Sequence, residues 1–205
     1  AYFNLTVIIK DESIPTIDGP DSVTVNVNNE SSIEEIILSN YTASDGYDGS
    51  LFVSYSLDDY TANKTILGSY LITLSATDNS NNNITKNITI NVVDVDAPII
   101  NNGPTIDVFL SDTKTINEVI TLLGVTDNYD LYDELVFGAN NNTYTGSESI
   151  VGTYTFDLVV IDTSNNILSS QIVINVIDDI EPSIQGPNIY SISYTEELSI
   201  NDILN

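Results

Sequence analysis

The sequence predicts an all-β chain of tandem two-layer sandwich modules with a repeat of about 84 residues. Three observations predict it. Apolar residues alternate with polar ones in short runs, Gly, Pro, Asn and Asp fall between the runs, and the whole pattern occurs twice. "GSYLITLSATDNSNN" (68–82) and "GTYTFDLVVIDTSNN" (152–166) show the repeat most plainly. Tyr70, Ile72, Leu74, Ala76 and Asp78 map onto Tyr154, Phe156, Leu158, Val160 and Asp162 at a shift of 84. Ile88, Ile90, Val92 and Asp94 map onto Ile172, Ile174, Val176 and Asp178 at the same shift. Val25, Ile33, Glu35 and Ile37 answer Val108, Ile116, Glu118 and Ile120 at 83, and the acidic loop 44–49 answers 126–131 at 82. Loops tolerate such small indels.

Taken in order, Val23/Val25/Val27 read as a first strand, Leu51/Val53/Tyr55/Leu57 as a second, Tyr70/Ile72/Leu74 as a third and Ile88/Ile90/Val92 as the closing one. Each buries one face and wets the other, as sandwich strands do. "SIEEIIL" (32–38) reads as a short turn or irregular strand. Residues 2–15 read like 85–98, the end of a preceding unit, and residues 181–205 read like the start of a further one. There Gly186-Pro187 answers Gly19-Pro20 and Gly103-Pro104, and Ile200 and Ile203 answer Ile33 and Ile36. The expected organisation is a closing strand and linker over 1–12, modules over 13–96 and 97–179, and an incomplete module over 180–205. The chain thus reads as a window onto a longer array. Each buried Val, Ile or Leu contributes roughly 1.5–3 kcal/mol, enough in sum to hold a unit of this size without disulfides.

Gly68-x-Tyr70 and Gly152-x-Tyr154 have the form of a tyrosine corner opening the sixth strand of an immunoglobulin-type sandwich. That assigns 70–77 and 154–161 to strand F and 87–93 and 171–177 to strand G.

Composition narrows the function. The formal net charge is −26, from 30 Asp and Glu against four lysines, Lys10, Lys64, Lys86 and Lys114. Such a surface repels nucleic acid and anionic lipid and attracts cations. There is no Cys and no His, which excludes thiol chemistry, zinc–thiolate sites and the commonest general base. Nothing approaches the ~18 consecutive apolar residues of a membrane span. Seven N-x-S/T sequons begin at Asn4, Asn29, Asn40, Asn63, Asn83, Asn87 and Asn141, many of them expected by chance in so Asn-rich a chain. No lysine recurs at the matching slot of the next unit, so a repeated Lys–Asn crosslink is not expected.

The blocks "VTDNYDLYDEL" (125–135), "VGTYTFDLVVIDTSNN" (151–166) and "IVINVIDDIEP" (172–182) resemble the bacterial immunoglobulin-like repeats catalogued in pesticidal crystal proteins and common in large surface proteins. Those repeats carry an acidic D-N-x-D loop, a V-G-x-Y strand, an A-T-D-x-x-G-N turn and a closing V-x-V-x-D before a proline. The turn glycine is replaced here by Asn81 and Asn165, and the first loop reads Asp45-Gly46-Tyr47-Asp48. The linker Asp94-x-Asp96-Ala97-Pro98 is also similar to cadherin junctions. The resemblance implies immunoglobulin-like β-sandwich modules acting as spacers or adhesive units, with no catalysis in the repeat itself.

In an immunoglobulin-type sandwich the incoming linker, the B–C loop and the F–G turn share one end. The first module then gathers Asp11, Glu12, Asp45, Asp48 and Asp78, and the second Asp94, Asp96, Asp127, Asp130 and Asp162. Asp178 and Asp179 would begin a third joint. Five converging carboxylates repel one another and raise some pKa values unless a cation joins them. Calcium suits such a site because it takes 6–8 oxygen ligands in flexible geometry, whereas magnesium keeps its waters. Asn79 and Asn128 are candidate amide helpers outside the ligand set, because Thr163 and Gly46 hold the matching slots. The alternative is that these Asp residues only cap turns and keep strand ends soluble.

The expected function is a non-catalytic structural repeat of an extracellular or cell-surface stalk, fibre or adhesin, with calcium-stiffened joints and neighbouring modules as partners. One alternative is an adhesive module binding a surface glycan or protein receptor, for which Tyr47, Tyr55, Tyr60, Tyr129 and Tyr132 are candidates. Another is a fibre subunit polymerising by strand complementation. Nucleic acid is not an expected partner.

Overall fold

The computed structural model describes residues 2–29 and 31–185. The expectations for Gly186-Pro187, Ile200 and Ile203 lie outside the described residues. Among the described residues the chain is all-β apart from two short helices. Its first part runs β1 (Thr16–Asp18), β2 (Ser22–Asn26), α1 (Ile33–Asn40), β3 (Thr42–Asp45), β4 (Gly49–Leu51), β5 (Ser54–Asp58), β6 (Gly68–Thr77) and β7 (Asn83–Val93). Its second part runs β8 (Ile99–Ile100), β9 (Thr105–Phe109), α2 (Ile116–Leu122), β10 (Val125–Thr126), β11 (Val136–Asn140), β12 (Gly152–Ile161) and β13 (Ile167–Ile177).

Each part sets a small sheet against a four-stranded one. The orders are β1-β3-β4 with β2-β7-β6-β5, and β10-β8 with β11-β12-β13-β9. The long hairpins β6–β7 and β12–β13 are antiparallel, while β2 runs parallel to β7 and β9 parallel to β13. Alternation explains the packing. Ile72, Leu74, Ile88 and Ile90 face one core, and Phe156, Leu158, Ile172 and Ile174 face the other, all essentially sealed from solvent. The two clusters of buried residues share no member.

The tyrosine corners form as the spacing predicts. Tyr70 donates its hydroxyl to the Ile66 carbonyl at 2.7 Å, and Tyr154 to that of Ile150 at 2.9 Å. Glycine precedes each because a Cβ at Gly68 or Gly152 would lie 3.1 or 3.2 Å from the phenol oxygen.

Two expectations are corrected. "SIEEIIL" is the body of helix α1, not a turn or irregular strand, and α2 occupies the equivalent place. Ile33, Ile36 and Ile37 recur at helical spacing and are buried. Ser32 with Glu35, and Thr115 with Glu118, close reciprocal capping boxes at the helix starts. The alternating run 51–57 is not one strand either. It breaks at Phe52-Val53, where the chain leaves β3's sheet and joins that of β6, with a register shift between Tyr55 and Leu57. The pattern continues through a corner at which the pairing partner changes.

Candidate metal centre

The fold brings four carboxylates together at one end of each module. Asp11, Asp45, Asp48 and Asp78 form the first group, and Asp94, Asp127, Asp130 and Asp162 the second. Within each, one carboxylate oxygen per residue lies within 4.8 Å of the others. The linker supplies Asp11 or Asp94. The loop after β3 or β10 supplies a pair, and the end of β6 or β12 supplies the last.

Local geometry positions each side chain in the same way twice. Asp45 Oδ1 accepts the N–H groups of Tyr47 at 2.7 Å and Asp48 at 3.3 Å, and Asp127 Oδ1 accepts those of Tyr129 at 2.9 Å and Asp130 at 3.0 Å. These are Asx turns that fold the loop back on its own carboxylate. Asp78 Oδ1 accepts the N–H of Asn82 at 2.7 Å, and Asp162 Oδ1 that of Asn166 at 2.7 Å. Asn81 and Asn165, standing in for the turn glycine, take φ of 68° and 69°, a left-handed conformation that Asn tolerates better than most residues. Asp48 is held by the backbone and amide N–H groups of Asn79 at 2.9 and 2.7 Å. Asp130 is held by Thr163, through its N–H at 2.9 Å and its hydroxyl at 2.6 Å. Asn79 and Thr163 are therefore equivalent supports.

The sequence reading missed Asn82 and Asn166. Each donates its amide to the paired aspartate, at 2.7 and 2.8 Å, and to the linker carbonyl of Asp11 at 3.2 Å or Asp94 at 3.3 Å. They tie the linker to the F–G turn. Their recurrence at a shift of 84 was the available signal.

Burial gives the groups their chemistry. Asp94 is 7% exposed and Asp162 4%. Asp11 Oδ2, Asp94 Oδ2 and Asp127 Oδ2 are buried and accept no hydrogen bond. A buried carboxylate oxygen with no donor, surrounded by other carboxylates, is costly unless a cation satisfies it. The expected rise in pKa does not hold for Asp45. The Tyr47 N–H, aided by that of Asp48, outweighs burial and holds this carboxyl below the usual range.

Four residues of the expected set lie outside the groups. Glu12 is exposed. Asp96 is exposed and accepts the Asn26 amide at 2.6 Å and the Asn128 amide at 3.3 Å. Asp178 is exposed and accepts the Ile180 N–H at 3.0 Å. Asp179 accepts the hydroxyl and, at 2.9 Å, the N–H of Ser111, which lower its pKa. Asn128 also donates to Asp94 Oδ1 at 3.1 Å.

The sheets and corners define a class: tandem immunoglobulin-like β-sandwich modules. No family model matches the chain, and the likeness to pesticidal-crystal repeats rests on the sequence motifs. A protein of Acholeplasma phage L2, described as an uncharacterized 81.3 kDa protein, is 29% identical over 140 residues. The match takes in 68% of this chain and 19% of that protein. Among solved structures, human mucin-like protocadherin EC1-2 overlaps at a TM-score of 0.34 and 15% identity, over 80% of this chain and 98% of that one. CBM51-2 in complex with GlcNAc and INT domains, from Clostridium perfringens ZmpB, overlaps at 0.34 and 13%, over 76% and 26%. These overlaps are loose, and the fold class rests on the strand pairing itself.

Proposed function

We propose that the chain is a non-catalytic structural segment of an extracellular stalk, fibre or adhesin, built from modules over 13–96 and 97–179, with calcium held at the start of each module. The observation that carries this reading is the set of three buried, unpartnered carboxylate oxygens inside the two four-aspartate groups. The donors are all oxygen, which fits a hard cation, and their convergence from three segments supports a flexible coordination sphere. Asp94, Asp127, Asp130 and Asp162 are the proposed ligands at the second joint, and Asp11, Asp45, Asp48 and Asp78 at the first. A bound ion supplies the positive charge that lets these carboxylates share one space. The chain does the rest: Asn82 and Asn166 hold the linker against the turn, and the Asx turns aim the loop carboxylates.

Thermal unfolding of residues 1–205 in EDTA, millimolar calcium and millimolar magnesium tests the reading. A calcium-specific rise supports it, because a ligand that binds only the folded state stabilises it. Equal melting in all three buffers overturns it.

A second reading, an adhesive module with a protein or glycan partner, is favoured by one feature. An apolar groove of about 300 Å³ on the first module is lined by Ile37, Leu38, Phe52, Val53 and Tyr55, with Glu34 at its rim. Phe52 is 77% exposed there.

A further inference from the structure

The second carboxylate group contains Asp94, which directly follows the end of β7, and three residues of the module that follows. A cation there clamps the linker to the following module but does not by itself set the angle between modules. The linker leaves β7 at Val93 as a single strand of chain, so a second attachment is what would fix that angle.

We infer that Asn26 supplies that attachment, as a clip that makes the joint rigid. Asn26 ends β2, where it pairs with Val93 at the end of β7, and its amide donates to Asp96 Oδ2 at 2.6 Å. The same oxygen accepts the amide of Asn128, from the loop that supplies Asp127 and Asp130. One carboxylate oxygen thus joins the preceding module, the linker and the following module. The next linker is fastened comparably, by different residues. Asp179 accepts the N–H and hydroxyl of Ser111, just beyond β9, the strand equivalent to β2. In both linkers a carboxylate outside the four-aspartate group reaches the end of the strand that runs parallel to the closing strand.

Among the described residues, the three-way junction is particular to this joint. At the first joint Ser13 stands where Asp96 would be and turns onto Asp11, and Gly46 stands where Asn128 would be. Asn26 also carries a buried Oδ1 with no partner, so its place at the strand end is not explained by local satisfaction. Cation occupancy and module orientation are thereby separable. The four aspartates set the first, and the Asn26–Asp96 contact, acting on a linker that the cation has clamped, sets the second.

This inference rests on the calcium reading for its rigid state, and the test separates the two. The chain lacks cysteine, so spin labels placed by Ala62→Cys and Ser149→Cys report the distance between modules by pulsed dipolar spectroscopy. In millimolar calcium the otherwise unaltered chain should give a narrow distribution. Asn26→Ala and Asp96→Ala should each broaden it towards the width seen in EDTA, while the calcium-induced rise in melting temperature persists. Thr24→Ala, exposed on the same strand, should leave it narrow. Distributions as narrow in Asn26→Ala and Asp96→Ala as in the parent overturn the clip, and so does a parent that is already broad in calcium. A parent that shows no calcium-dependent melting sinks the cation reading alone, and broadening by Asn26→Ala in that case still supports the clip.

Discussion

Replacing Asp130 by asparagine should reverse its effect on stability according to the cation present. Asp130 is 7% exposed and stands with Asp94 and Asp162, both also buried, their ligand oxygens within 4.8 Å. At an effective dielectric of about 20, each such pair repels by about 3.5 kcal/mol or more when no cation intervenes. Asparagine keeps the shape and removes the charge. Its oxygen can accept the Thr163 N–H, and its amide can donate to the Thr163 hydroxyl, so no buried donor is stranded. In EDTA at neutral pH, Asp130→Asn should therefore melt above the parent. In calcium the order should invert. An ion at a hundred times its Kd stabilises the folded state by about 2.7 kcal/mol. For a module of this size that corresponds to about 10–20 °C. The variant, with one anionic ligand fewer, should gain much less. Differential scanning calorimetry of parent and variant in both buffers measures the crossover. A variant that is destabilised equally in EDTA and calcium would overturn this expectation, because Asp130 would then serve only as the acceptor for Thr163.

Other consequences follow from the fold. Tyr154→Phe removes the hydroxyl donated to the Ile150 carbonyl and should cost about 1 kcal/mol in urea unfolding, with an unchanged slope. Asn165→Ala places a less tolerant residue at φ of 69° and should cost about 1 kcal/mol or more, whereas Asn165→Gly should be nearly neutral. The Thr115 N–H and hydroxyl hold Glu118 below the usual carboxylate range. Its folded pKa thus lies under its unfolded one, so its contribution is complete above the unfolded value and is lost as pH falls through the folded value. The stability gap between the parent and Glu118→Gln, measured by denaturant titration at stepped pH, should close on acidification.

The long hairpins were legible because half-buried strands leave a period of two, as Tyr70/Ile72/Leu74 and Ile88/Ile90/Val92 do. The helices were not read because two turns give Ile33, Ile36 and Ile37 little room to declare a period, although the Ser32–Glu35 box marked the start. The corner at Phe52-Val53 leaves no local trace, since what changes there is the neighbouring strand. The carboxylate groups were legible because the repeat aligned three segments whose relative positions the sandwich fixes. Glu12 lies outside the first group: it is exposed, whereas the neighbouring Asp11 is partly buried. Asp96 lies outside the second group and is held instead by Asn26. Its partner Asn26 matches Phe109 one repeat later, so no recurrence announced the contact.

Both aspartate groups should hold a divalent cation. The most direct measurement is anomalous diffraction from crystals grown in calcium. One peak should lie among Asp11, Asp45, Asp48 and Asp78 and another among Asp94, Asp127, Asp130 and Asp162, each about 2.3–2.6 Å from its carboxylate oxygens. Ordered water bridging these carboxylates at millimolar calcium, with no anomalous signal at either group, would contradict it.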